Sequence, residues 1–465
     1  MTNKIIESIT PDVIVAGSGM AGLTAALSAQ ELGAQVVMLE KASEIGGSAG
    51  YSGGTVWTAK HFEDWLKVGE NSDAELGRVI LDSFHEGIPW LQQQGMQLKP
   101  VPSDRAFRFE QVAYKMMPDT RTAILHLADR FVAQGGVIRL NTALQTILQD
   151  DAGRVNVITA LTNEPEPTTT IQLHTSALIL ATGGFQANPE LRRTYFGYAA
   201  DAVIVRGVLS NTGDGLLAAQ QINGATIGPF DRCYGHVVPA PPAQLNLDNF
   251  LQIKPAFCHY AVFVNLNGER FDDEFLGDEV TVQALIKQPQ GVGILIFDEA
   301  MRRNRSGLDP SAGGEGDWPE DSIDVIRQIG GQILQADTLD DLVQMVTGTW
   351  AVDETALSKT VLDYNQACAT NDASQLLVFK SGGLDPISTP PFYAIKMLPG
   401  VTFTYGGLKV NTQAQVLNQQ DQPIPGLFAA GADVGGIYTR GYVGGLAMSL
   451  ALGRLAGKGA AKSEN

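Results

Sequence analysis

The stretch that most restricts this chain is DVIVAGSGMAGLTAALSAQELGAQVVMLEKA, residues 12–42. Its apolar run Val13–Ala16 reads as a short buried strand. Gly17, Gly19 and Gly22 then follow the pattern G-x-G-x-x-G. Leu23–Leu32 reads as an Ala/Leu-rich helix, and Val36–Leu39 as a second strand ending at Glu40. Each residue type has a physical reason in such a unit. The first glycine makes the turn. The second, followed by Met20 and Ala21 at the helix start, lets a pyrophosphate approach the backbone N–H groups. The third packs helix on strand, and the acid accepts ribose hydroxyls. A glycine turn in an unrelated α/β fold leaves Glu40, 18 residues after Gly22, unexplained. The unit predicts an α/β, Rossmann-like dinucleotide-binding domain, and either NAD or FAD fits it.

Further glycine clusters decide between the two. Lys41 follows Glu40, and EIGGSAGYSGGTVW (44–57) offers Gly47, Ser48, Ser52, Gly53 and Gly54 with little bulk to keep a flat ligand away. ALILATGGF (177–185) sends a buried strand into Ala181, Thr182 and Gly183. NTGDG (211–215) puts Asp214 at a helix start. PIPGLFAAGADVGG (423–436) gives a strand, Gly431, and Asp433 placed to meet a ribityl or pyrophosphate group. Gly444, Gly445, Leu446 and Ala447 open a last helix. Such clusters after strand-like runs, spread over the whole chain, imply one extended ligand. That ligand is FAD.

Composition sets the outer limits. A chain of 465 residues predicts two lobes. The formal charge of −18 argues against a nucleic-acid or anionic-membrane surface. Three distant cysteines (Cys233, Cys258, Cys368) and six histidines with no H-x-x-x-H pair predict neither a disulfide framework nor a metal site. No cationic start followed by an apolar run is present, and no apolar stretch reaches spanning length, so a cytoplasmic protein is expected.

The set GSGMAG, LEKA, GGSAGYSGG, ATGGF, GDG, NGERFDDE and PIPGLFAAGADVGG resembles the flavoprotein superfamily of fumarate reductases and succinate dehydrogenases. That superfamily also holds 3-ketosteroid Δ1-dehydrogenases and tricarballylate dehydrogenase. The match covers roughly residues 10–60, 120–280 and 395–460. The resemblance implies a FAD domain (1–230 and 404–465) split by an α+β capping domain (231–403), with substrate held between them over the flavin. Some members attach flavin to a histidine just before the "SGG" glycines. Residues 47–52 hold none, so non-covalent FAD is expected.

The departures matter as much as the match. Counting from Arg270-Phe271, the proton-donor arginine of fumarate reductases corresponds to Asp278. Their carboxylate-clamping arginine corresponds to Tyr442, and their paired histidines to Thr402-Phe403. Their Thr-Glu-x-x-Arg relay corresponds to IKPAF (253–257). Only His236, in CYGHVV, keeps a substrate-facing place. Loss of these arginines argues against fumarate or succinate and toward a less charged substrate. YVGGL (442–446) resembles instead the tyrosine segment of ketosteroid dehydrogenases, with Val443 for proline and Leu446 for glycine.

The expected enzyme therefore dehydrogenates, or in reverse reduces, a C–C bond beside a ketone, exchanging hydride with flavin N5. Tyr442 is the first choice for proton transfer and His236 for orienting substrate. A phenol of pKa about 10 needs a helper to act as a base at neutral pH; Arg440, His236 and His259 are candidates. Tyr405 and Tyr438 compete with Tyr442, and Arg270 is read as structural. Oxidation of a carboxylic acid in the manner of tricarballylate dehydrogenase is the alternative, and would call on Arg232 or Arg440. A non-redox isomerase is a further one. The partners expected are an apolar ketone and an unidentified electron acceptor. The loop-rich stretch 301–321 is either a lid or an exposed insert.

Overall fold

The computed structural model describes residues 10–69, 72–101, 109–163, 168–253, 255–305 and 321–463. Two apolar segments predicted from the sequence, Val13–Ala16 and Val36–Leu39, form strands with those bounds. They pair in parallel from Val13↔Val36 to Ala16↔Leu39, and Val13 also faces Ala177 of strand Ala177–Leu180. Pro423–Ala429, Gln415–Leu417 and Val137–Arg139 complete a six-stranded sheet. All residues of the three central strands are buried, which is why they read as unbroken apolar runs rather than alternating ones.

Helix Met20–Gln30 covers this sheet and packs against the last helix, Gly445–Ala461. Small residues permit the close approach: a Cβ on Gly457 would lie 2.1 Å from the Ala25 carbonyl oxygen. The two halves of the FAD-binding motif set, some 425 residues apart at Thr24 and Ser449, are thereby joined.

A second six-stranded sheet is built around the long strand Phe392–Thr404. Ile204–Val205 and Gly293–Asp298 pair with it, as do Cys233–Pro239 and Ile333–Ala336, and Val262–Asn265 extends the sheet beyond Gly293–Asp298. A separate hydrophobic cluster, from Phe196 to Val401, fills this lobe. Ile204–Val205 joins this sheet although it precedes residue 231, because it pairs in parallel with Gly400–Val401.

At the edge of this sheet the register between Cys233–Pro239 and Phe392–Thr404 slips by one residue. Tyr234 faces Phe403 but Gly235 faces Val401, leaving Thr402 unmatched. A bulge of this kind re-aims side chains, and both Thr402 and Phe403 reach the cavity described below.

The expected hairpin around 162–170 is formed by antiparallel strands Val155–Thr162 and Thr169–His174; its tip, 164–167, lies outside the described residues. Of the loop-like stretch 301–321, residues 301–305 end helix Glu299–Arg305, and 306–320 also lie outside the described residues. Among the described residues no helix is long and apolar enough to cross a membrane.

Candidate active site

A cavity of about 860 Å³ runs from the first glycine turn to the edge of the second sheet. Its walls at the nucleotide end are mostly backbone. Gly17 has φ +108°, and a Cβ there would lie 2.1 Å from the Ala181 oxygen, so no side chain fits the turn. The helices starting at Met20, Asp214 and Gly445 have glycine N-caps with no side-chain cap. All three starts border the cavity and present N–H groups suited to an anionic ligand.

Glu40 is held at the end of its strand by Ser18: Oε2 accepts from Ser18 N at 3.0 Å and from Ser18 Oγ at 2.5 Å, and Oε1 accepts from Ala42 N at 2.7 Å. Lys41 donates to Asp214 at 2.9 Å and to Thr212. A glycine-lined trough, uncapped helix starts and a fixed carboxylate fit the pyrophosphate and ribose of FAD.

All but four of the expected cofactor residues line this cavity. Gly22 lies behind the turn, where a Cβ would be 1.9 Å from the Gly17 oxygen; it serves packing, as its place in the motif implies. Gly444 lies against the Trp57 carbonyl and Ala447 inside the last helix. Asp433 is buried and is not part of the cavity wall, accepting hydrogen bonds from Thr182 N and Oγ1. It ties the two strand ends together. Burial lifts its carboxyl to about 7, against the pull of these donors.

The far end of the cavity is made of side chains. Tyr442 and Tyr234 stack with ring centroids 3.7 Å apart, and Trp57 meets Tyr442 edge-on. The Tyr234 hydroxyl lies 3.1 Å from His236 Nε2, and His236 Nδ1 lies 2.7 Å from Asp278 Oδ2. An ionised Asp278 accepts from Nδ1–H, which leaves Nε2 as the acceptor for Tyr234. Behind this row, the ligand atoms of Cys258, His259 and Asp278 lie within 4.8 Å of one another, a grouping the sequence reading did not single out.

The Tyr442 hydroxyl accepts the Gly445 N–H at 2.7 Å. Burial pushes its phenol up to about 12. The Gly445 hydrogen bond, the charge of Arg206 and the neighbouring Tyr234 oppose that rise, while Glu279 adds to it. Tyr442 is therefore a neutral phenol at physiological pH, able to donate its proton in a hydrogen bond.

Apart from His236, the expected helpers and rivals of Tyr442 do not line the cavity. Arg440 is exposed, and neither it nor Arg232 lines the cavity. His259 is buried away from the wall. Tyr438 donates to the Gly444 carbonyl at 3.1 Å and Tyr405 is directed at Gly441; burial holds both phenols well above the usual range. Arg270 pairs with Glu274 at 2.5 Å and donates to Val378 O, deep in the second lobe.

Two residues were passed over by the sequence reading. Tyr234 stands two positions before His236 on one strand, so both point to the same face; that alternation was a usable signal. Arg206 carried none. It follows a two-residue strand, and only pairing with the distant Gly400–Val401 brings it to the cavity.

A glycine-built nucleotide trough that opens onto an aromatic, proton-bearing pocket defines a FAD-dependent oxidoreductase. Residues 12–445 match the family model described as FAD binding domain, and the chain belongs to that family. It is 30% identical over 476 residues to a fumarate reductase (cytochrome) of Shewanella frigidimarina, covering 97% of this chain and 77% of that protein. It is 29% identical to a urocanate reductase of Eggerthella lenta, covering 97% and 74% respectively. The fold matches a 3-ketosteroid Δ1-dehydrogenase from Sterolibacterium denitrificans with a TM-score of 0.77 at 19% identity, covering 98% of this chain and all of the other. The chain is thus an FAD-dependent oxidoreductase acting on C–C bonds, of the fumarate reductase and succinate dehydrogenase flavoprotein superfamily.

Proposed function

We propose that the enzyme interconverts a C–C single bond and the corresponding double bond beside a carbonyl, on a substrate with a largely apolar body. The observation that carries this reading is the row Asp278–His236–Tyr234, which ends in the cavity beside the neutral phenol of Tyr442. FAD, when bound, supplies the hydride acceptor or donor.

The chain's own residues handle the proton and the developing charge. In the oxidative direction Tyr234 takes the proton from the carbon next to the carbonyl as its own proton passes to His236 Nε2. Asp278 holds the imidazolium that results. In the reductive direction the same proton returns through Tyr234 to that carbon. Tyr442, un-ionised, donates a hydrogen bond to the carbonyl oxygen as negative charge builds there. Proton transfer, given to Tyr442 on sequence grounds, is thus assigned to Tyr234, with Tyr442 as the polarising group and His236 as the residue between Tyr234 and Asp278.

The aromatic walls (Trp57, Phe109, Phe250, Phe403) suit a flat apolar body carrying the carbonyl, whether that of a ketone, as in the ketosteroid-dehydrogenase-like reading, or of an acid. Arg232 and Arg440, on which the tricarballylate-type alternative called, do not reach the cavity. Non-covalent FAD is supported too: His236 alone of the histidines lines the cavity, and both of its nitrogens are engaged. We retain the domain division 1–230, 231–403 and 404–465, and a cytoplasmic home, as parts of the same proposal.

Anaerobic absorbance of the yellow holoenzyme tests the reading. Oxidised flavin should bleach with a saturated ketone such as 4-phenylbutan-2-one, or dithionite-reduced flavin should reoxidise with benzalacetone. Turnover of either compound without any change of flavin redox state would point to the isomerase and overturn the proposal.

A further inference from the structure

Arg206 is the unexplained group of this pocket. Its side chain is more than nine-tenths buried and lines the cavity between Thr402 and Phe250. Nη1 donates to Thr402 Oγ1 at 3.1 Å, and Nη2 makes a long contact of 3.4 Å with the Phe250 carbonyl. Nε has no hydrogen-bond partner, and among the described residues no carboxylate forms an ion pair with this guanidinium.

Two other buried cations among the described residues are answered, whereas Arg454, over the Trp90 ring and outside the cavity, also lacks an ion pair. Arg270 has Glu274 at 2.5 Å, and Lys380 has Glu274 at 3.6 Å together with the Ala261 carbonyl. Burying a guanidinium without an anion is costly, and such sites are normally completed by one. The acids nearest to the pocket form no ion pair with Arg206, although the charge of Asp278 acts on it from a distance. Asp278 is bonded to His236, and Glu279, which also borders the cavity, forms no ion pair with Arg206.

We infer that Arg206 is the oxyanion-binding residue of the substrate site, and that the carbonyl group beside the reacting bond belongs to a carboxylate. The preferred substrate is then an α,β-unsaturated or saturated monocarboxylic acid with an apolar, aromatic-compatible tail. A planar guanidinium with free donors matches a carboxylate better than a neutral ketone oxygen does. One such cation, with Tyr442 where a second is absent, fits one carboxylate rather than two. The bulge that frees Thr402 supplies the hydroxyl that holds Arg206 in place. This inference rests on the C–C oxidoreductase reading above and, of the carbonyl compounds that reading allows, selects the acid.

The test uses two matched pairs that differ only at the activating group: cinnamate with benzalacetone, and crotonate with 3-penten-2-one. Binding is read from perturbation of the oxidised flavin spectrum of the holoenzyme, and turnover from reoxidation of reduced flavin. Arg206→Gln should weaken binding of both acids about 10- to 100-fold, as expected for a charge-assisted hydrogen bond. Both ketones should change by less than about threefold. Arg206→Lys should restore part of the affinity for acids, which a purely structural role would not do. Equal losses for acid and ketone, no loss for either, or wild-type enzyme that binds neither acid at millimolar concentration would each overturn the inference. Acids that bind through Arg206 without reoxidising the flavin would leave the binding site standing and instead remove the redox reading.

Discussion

The two ends of the cavity are built by different means. The nucleotide end is made of backbone: glycine turns, uncapped helix starts and one carboxylate fixed by Ser18. The substrate end is made of side chains on the second sheet: Arg206, Tyr234, His236, Thr402 and Phe403, with Tyr442 crossing from the other lobe. A backbone site tolerates no added atom where the chain turns tightly, as at Gly17, and calls on few particular side chains. A side-chain site tolerates modest changes of shape, yet depends on a single hydrogen or charge. Mutations at the first should therefore remove the cofactor and the fold together, whereas mutations at the second should leave a yellow, folded protein that no longer turns over.

The strongest way to break this contrast is Gly17→Ala. The positive φ and the 2.1 Å approach to Ala181 O predict roughly 2–6 kcal/mol of destabilisation. The variant should purify with little bound flavin, read from its absorbance near 450 nm; full flavin content would remove the distinction.

Next in size is Asp278→Asn at the other end. It should keep its flavin and its melting temperature nearly unchanged, while the rate of the flavin half-reaction falls about 10- to 100-fold and its pH profile shifts. A melting shift with an unaltered pH profile would make Asp278 structural.

The smallest effect concerns Asp433. Its carboxyl, lifted from 3.8 to about 7 by burial, binds more protons in the folded than in the unfolded state across that window. Its contribution to stability is full below about pH 4 and is lost as the pH rises to 7. Asp433→Asn should flatten this part of the stability profile in urea titrations, leaving the substrate pocket untouched. An unchanged slope would mean that donors at Thr182 keep the group ionised.

The same contrast governs what was legible in the sequence. Gly17, Gly19 and Glu40 lie in one local run whose spacing encodes strand, turn and helix, so their places could be read directly. Gly22 packs on the turn as its place in the motif implies, while the bond of Asp433 to Thr182, 251 residues away, could not be read from its local run. The substrate end has no such local code. His236, which joins Tyr234, reaches Asp278 across 42 residues of chain, and Arg206 reaches Thr402 across 196. Sheet pairing and a one-residue bulge decide which side chains meet there. Asp278 was noticed for its position in the motif, but its partner was not visible. Arg232 and Arg440 drew attention because they adjoin motifs, while the buried Arg206 lay only a few residues before another one.

The central claim, that Tyr234 moves the proton while Tyr442 polarises the carbonyl, is tested most directly by single-turnover reoxidation of the reduced holoenzyme. The variants Tyr234→Phe and Tyr442→Phe would be compared over pH 6–9 with cinnamate and benzalacetone. We expect Tyr234→Phe to slow reoxidation about 10²- to 10⁴-fold without weakening binding, and Tyr442→Phe to cost less in rate. A Tyr234→Phe enzyme that reoxidises at the wild-type rate, with the loss confined to Tyr442→Phe, would contradict this account and return proton transfer to Tyr442.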